Sequence, residues 1–158
     1  TAAKAIYNRM KDKFDAHGFL GDIRETANRH GLVYLQKLLL AEIYKKRTID
    51  ISCVDGGMGM IKEKLGRKRV LVIINDVDEK EQLEAIVGNR DWFGSGSRII
   101  ITTRDKHFLD VLHVNKTFTV PEMNPDEGLE LFCRHAFQKG YPNEQYLELS
   151  KKVLSYTG

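Results

Sequence analysis

The chain has 158 residues, 42% of them hydrophobic, which allows one domain or most of one with a real core and excludes a disordered tail. Its 25 Lys and Arg against 22 Asp and Glu leave +3 with both signs interspersed, so no clustered basic face points to nucleic acid. The longest aliphatic run, residues 70–74, is far shorter than the ~20 residues that span a bilayer, and the N-terminus lacks a charged-then-apolar leader pattern. The chain reads as soluble, with no membrane partner. Cys53 and Cys133 lie in unrelated pattern contexts, so two free thiols in a reducing compartment are expected.

In chain order, Ile6, Met10 and Phe14 recur every four residues and predict a first helix. Gly18 reads as a break, and Phe19-Leu20-Gly21-Asp22-Ile23 as a short strand. Leu35, Leu39 and Ile43, flanked by Leu32 and Leu38, predict an amphipathic helix of about three to four turns, with Lys45, Lys46 and Arg47 suited to its C-terminal dipole. Gly56-Gly57-Met58-Gly59-Met60 reads as a flexible entry to a weaker helix bearing Met58, Ile61 and Leu65. Residues 70–74 are apolar on both faces, as a parallel strand covered on each side requires.

Residues 79–87 predict another helix. The turn Gly94-Ser95-Gly96-Ser97, with Trp92 and Phe93 packed beneath it, leads to a second apolar strand, residues 98–103, that turns polar at its end. Residues 117–120, Thr-Phe-Thr-Val, are a fourth strand candidate. Asn124, Pro125 and Glu127 supply an N-cap, a first-turn proline and a capping-box acid, with Gly140 as the stop. The apolar face of that helix is Leu129, Phe132, Cys133, Ala136 and Phe137. Tyr146, Leu149 and Val153 mark a last helix, stopping at Thr157-Gly158. Strands alternating with helices predict an α/β layered domain with a mostly parallel sheet, whose ligands sit beyond the C-terminal strand ends.

The chemistry is therefore sought at those ends. Asn75-Asp76-Val77-Asp78 follows the first core strand and Thr102-Thr103-Arg104-Asp105 the second. A carboxylate after an aliphatic strand suits magnesium or water positioning, and an arginine at a neighbouring end can bind a terminal phosphate. A phosphate cradle should accompany them. The glycines at 56, 57 and 59 are rejected for that role, because no Lys-Ser or Lys-Thr follows and no clear strand precedes. The five histidines lack metal spacing, and Arg67-Lys68-Arg69 reads as a solvated strand entry.

Four ordered blocks then carry a resemblance: Phe19-Leu20-Gly21-Asp22-Ile23-Arg24-Glu25, residues 68–78, residues 96–105 and Glu130-Leu131-Phe132-Cys133-Arg134-His135-Ala136-Phe137. Together the chain resembles the NB-ARC nucleotide-binding domain of plant disease-resistance proteins (NBS-LRR), and Asp78 with the first block resembles the branch bearing an N-terminal Toll/interleukin receptor domain. The resemblance implies a P-loop NTPase-like three-layer α/β fold. Thr1 matches the second threonine of a Gly-Lys-Thr-Thr loop, and Tyr156-Thr157-Gly158 stops before a Gly-Leu-Pro-Leu motif. The chain thus reads as an internal segment between the two, lacking the first, central strand and the phosphate loop. That strand is expected between those ending at Asn75 and Thr103, and its loss should leave the isolated chain marginally stable. Residues 1–122 would be the partial nucleotide-binding subdomain and 123–158 the beginning of the helical ARC subdomain.

The resemblance also implies an ADP/ATP switch with Mg2+, in an intracellular immune receptor of the cytoplasm or nucleus. Thr1, Asn75, Asp76, Thr103 and Arg104 would bind nucleotide, Asn75 and Asp76 the metal; Asp76 would be catalytic and Arg104 would sense the γ-phosphate. The family has an acid where this chain has Asn75; a neutral amide gives the metal no charge, so the expected ATPase, of the STAND class, is slow, and the segment alone inactive. Implied partners are the receptor's own leucine-rich repeats and Toll/interleukin receptor domain, with a pathogen effector or guarded host protein reached indirectly. The alternative is a degenerate scaffold that binds no nucleotide; a hydrolase lacks any G-x-S-x-G elbow.

Overall fold

A computed structural model describes residues 2–46, 48–111, 114–138 and 144–156. The chain divides into two compact units, Thr1–Asn115 and Lys116–Gly158. In the first, α1 (Ala2–Met10) and a 3-10 turn (Lys11–Lys13) lead into β1 (Ala16–Leu20). Three helices follow: α2 (Ile23–His30), α3 (Leu32–Tyr44) and α4 (Val54–Leu65). Next come β2 (Val70–Ile74), α5 (Lys80–Val87), a 3-10 turn (Arg90–Trp92), β3 (Arg98–Ile101) and α6 (Lys106–Val111).

The sheet is β1-β2-β3, both pairs parallel. All five residues of β2 are fully buried, because helices cover both faces. Val70, Val72 and Ile74 join Leu35, Leu39, Ile61, Leu65 and Ile86 in the larger core. Leu71 and Ile73 point the other way, to Ala3, Tyr7, Met10 and Phe14. The result is the expected three-layer α/β arrangement with a parallel sheet. On the α1 side, the Tyr7 hydroxyl lies 2.7 Å from His17 Nδ1.

Several expectations need correction. The first strand starts earlier than the apolar run, and Gly18 lies inside it; a β-carbon there would come within 3.3 Å of Ile43 Cγ1, so the glycine marks the close passage of α3 over β1. Ile23 is not a strand end but the buried first residue of α2. The glycine-rich segment is no loose helix entry, since α4 already runs from Val54 through it. β2 and β3 are hydrogen-bonded neighbours in register from Leu71↔Arg98 to Ile74↔Ile101, so no strand lies between them. Among the described residues, the outer edge of β3 is the unpaired one on that side. Residues 117–120 form no strand; Phe118 and Val120 are 83% and 73% exposed.

In agreement with the sequence, Phe93 joins the core with Trp92 against it, and both cysteines are free, Cys53 exposed and Cys133 buried. The basic triplet is partly engaged: Lys68 Nζ sits 4.5 Å from the Tyr44 ring centroid, and Arg69 Nη2 donates to the Lys13 carbonyl at 2.6 Å.

The second unit contains α7 (Pro125–Phe137) and α8 (Glu144–Leu154). The α7 capping box is formed as expected: Glu127 N–H donates to Asn124 Oδ1 at 2.9 Å, and Asn124 N–H donates to Glu127 Oε2 at 3.0 Å. Leu129 and Cys133 are buried on its apolar face, and Phe137 packs against Tyr146 of α8, centroids 5.8 Å apart. The helix ends at Phe137 with Gln138 in the left-handed conformation; the expected stop at Gly140, like Thr157 and Gly158, lies outside the described residues.

Candidate functional site

The parallel ladder continues for one step past each strand. Asn75 N–H donates to the Leu20 carbonyl at 2.9 Å, Thr102 N–H to that of Ile74 at 2.9 Å, and Val77 N–H to that of Thr102 at 3.0 Å. Between these bonds the chain turns sharply, and Asp76 has φ 63. That left-handed conformation is uncommon outside glycine, though Asp and Asn tolerate it best. It is held from both sides. Asp76 N–H donates to Thr102 Oγ1 at 3.0 Å, and the Thr102 hydroxyl donates to Asn75 Oδ1 at 2.9 Å. The carbonyls of Asn75 and Asp76 accept from the N–H groups of Ile23 and Arg24, each at 3.1 Å. Two amides at the start of α2, which have no partner within their own helix, are thus satisfied by the end of β2.

The turn aims the Asp76 carboxylate between two arginines. Arg104 Nε lies 3.3 Å from Oδ1 and Arg24 Nη2 3.5 Å from Oδ2. The Asp76 side chain is 24% exposed, that of Arg24 44% and that of Arg104 79%. Two cations on one anion leave a local charge of +1 at the C-terminal edge of the sheet. Ion pairs this open contribute only ~0.2–1 kcal/mol each to stability. They hold a geometry more than they hold the fold, and the Arg104 side chain stays largely open to solvent.

Of the expected site residues, Asn75, Asp76 and Arg104 are therefore brought together. Thr103 is not part of that cluster: its Oγ1 accepts from Asp105 N–H at 3.1 Å, and Asp105 Oδ1 in turn accepts from His107 N–H at 2.9 Å, which shapes the entry to α6. Thr1 lies outside the described residues. No group of three His, Cys, Asp or Glu side chains placed to hold a metal occurs among the described residues. Sequence reasoning missed Thr102 and Arg24. Register could have found the first, since Ile74 pairs with Ile101 and the next pair is Asn75 with Thr102. Arg24 stood in a recognised block without an assigned role.

A three-layer α/β unit with polar groups gathered at adjacent parallel strand ends has the layout of the P-loop NTPase-like nucleotide-binding domains. Comparison with known proteins gives the family: residues 1–141 match the NB-ARC domain, and the chain belongs to that family. It is 42% identical over 157 residues to Disease resistance protein RUN1 of Vitis rotundifolia, covering 99% of this chain and 12% of that protein. It is 37% identical over 163 residues to TMV resistance protein N of Nicotiana glutinosa, covering 99% of this chain and 14% of that protein. Disease resistance-like protein DSC1 of Arabidopsis thaliana is 33% identical over 156 residues. The chain thus spans a small fraction of the length of these relatives.

Proposed function

We propose that this chain is the nucleotide-reading part of an ADP/ATP switch in a plant immune receptor of the disease-resistance class, with leucine-rich repeats and a Toll/interleukin receptor domain elsewhere in the same protein. The observation that carries the reading is the Asp76–Arg104 ion pair across adjacent strand ends. The site fits a polyphosphate: two guanidiniums converge on one carboxylate, and Arg104, the more exposed, is free to turn outward. Arg104 would bind the terminal phosphate bidentately, favouring triphosphate over diphosphate and coupling nucleotide state to conformation. A bound polyphosphate with Mg2+ supplies the transferable phosphoryl group and its charge neutralisation. Asp76 would offer the metal one carboxylate and orient water for a slow, resetting hydrolysis, and Asn75 would offer an uncharged oxygen.

Diphosphate would then hold a resting receptor and triphosphate an active one, in the cytoplasm or nucleus, with a pathogen effector or a guarded host protein as the upstream signal. No helix among the described residues is long and apolar enough to cross a membrane. In a receptor-length protein carrying this segment, Arg104→Ala should weaken ATP more than ADP; equal losses would remove the sensor assignment. A second reading, a scaffold of the same receptor class without turnover, is favoured by one observation. The Asn75 oxygen already accepts from Thr102, so the amide serves the turn as it stands. Absence of measurable binding at millimolar nucleotide would select that reading.

A further inference from the structure

Arg24 is the part of the cluster that nothing so far employs. Both its ends are tied to the same residue: its N–H donates to the Asp76 carbonyl at 3.1 Å and its guanidinium reaches the Asp76 carboxylate at 3.5 Å. The neighbouring Ile23 is fully buried and bonded to Asn75, so the base of the Arg24 side chain is fixed to the end of β2. Arg104 has no comparable tether to Asp76 beyond the ion pair, and its side chain is 79% exposed.

We propose that Arg24 is a positioning residue, the permanent counter-ion of Asp76, which allows Arg104 to leave the carboxylate for a phosphate. The proposal rests on the switch reading above and adds the residue that makes the exchange feasible. With Arg104 gone, a lone Asp76 carboxylate would face an incoming polyanion, and like charges at short range repel strongly where water is partly excluded. Paired with Arg24 it presents no net charge. The turn stays in place, because Arg24 holds both the carbonyl and the carboxylate of a residue whose left-handed backbone needs outside support. In one step Arg104 exchanges a carboxylate for a phosphate, and α2, whose first amides cap β2, keeps the sheet end in register.

The test uses a receptor-length protein carrying this segment, titrated with ATP and with ADP, each without Mg2+. Arg24→Gln removes the charge and leaves a shorter side chain that can still donate a hydrogen bond. It should weaken ATP about two- to fivefold, the scale of one partly exposed ion pair, and ADP distinctly less. Arg24→Lys should restore most of the preference. Asp76→Asn added to Arg24→Gln should abolish the penalty, because no carboxylate is then left to neutralise. Equal losses for both nucleotides, or a penalty that persists in the double variant, would overturn the proposal. Failure of the unsubstituted protein to bind either nucleotide would overturn instead the switch reading beneath it. A second measurement needs no Arg24 variant. With ATP bound, phenylglyoxal followed by mass spectrometry should modify Arg24 more slowly in the unsubstituted protein than in Asp76→Asn, and equal rates would contradict the pairing.

Discussion

The side-chain oxygen of Gln36 lies against the α-carbon of Gly57, so close that a β-carbon at position 57 would fall within the space of the glutamine amide. Gln36 is fully buried on α3, and its Nε2 donates to the carbonyls of Val54 in α4 and Ala85 in α5, each at 2.9 Å. Its oxygen has no hydrogen-bond partner among the described residues. One amide thus ties three helices together over the sheet, and Gly57 provides the room for it. In a segment that reads as a flexible helix entry, Gly57 is a packing device.

A paired prediction follows from the two neighbouring glycines of α4. Gly57→Ala should destabilise by ~1–3 kcal/mol, since the methyl must displace a buried amide that holds two carbonyls. Gly59→Ala, which would meet nothing within 4 Å, should stabilise by up to ~1 kcal/mol through helix propensity alone. Urea denaturation of both variants checks this, and shifts of the same sign would contradict the packing account.

Hydrolysis is predicted to respond to charge at position 75. In a receptor-length protein, Asn75→Asp should raise Mg2+-dependent turnover several-fold, because it adds an anionic oxygen beside Asp76 while keeping an acceptor for the Thr102 hydroxyl. Unchanged turnover would mean that position 75 serves the turn alone.

A pH effect is expected on the α1 side of the sheet. Burial pushes the Tyr7 phenol above its ordinary 10.0, the Lys45 charge drawing it down and that of Glu42 adding to the rise. The folded state then holds the phenolic proton more tightly than the unfolded chain does. This contribution to stability is complete below about pH 10 and is lost as pH climbs through the folded value. Melting temperatures should fall more steeply above about pH 10 in the unsubstituted chain than in Tyr7→Phe; parallel curves would show that the phenol titrates alike folded and unfolded.

Legibility varied with the strength of the local signal. β2 was plain because an unbroken β-branched and aliphatic run has few other uses, and α7 because its cap residues each do one job. That Asp76 and Arg104 share one sheet edge was legible from two strand ends in a parallel sheet, but their ion pair was not, because a further strand was expected between them. α2 escaped because Ile23 is its one buried residue, leaving no periodic stripe to detect. Arg24 escaped with it, since the contact depends on a left-handed turn at Asp76 that no propensity announces. Residues 117–120 have strand-forming side chains, but a strand exists only with a partner, and composition cannot supply one. Gly18 was misread because a glycine that permits close packing looks the same in sequence as one that ends an element.

The most direct measurement is the Arg104–Asp76 separation in a receptor-length protein determined once with ADP and once with a non-hydrolysable ATP analogue. The account predicts the ion pair intact beside diphosphate, and with the triphosphate analogue Arg104 on the terminal phosphate while Arg24 stays on Asp76. A triphosphate-bound structure in which Arg104 remains on Asp76, or turns away from both, would contradict it.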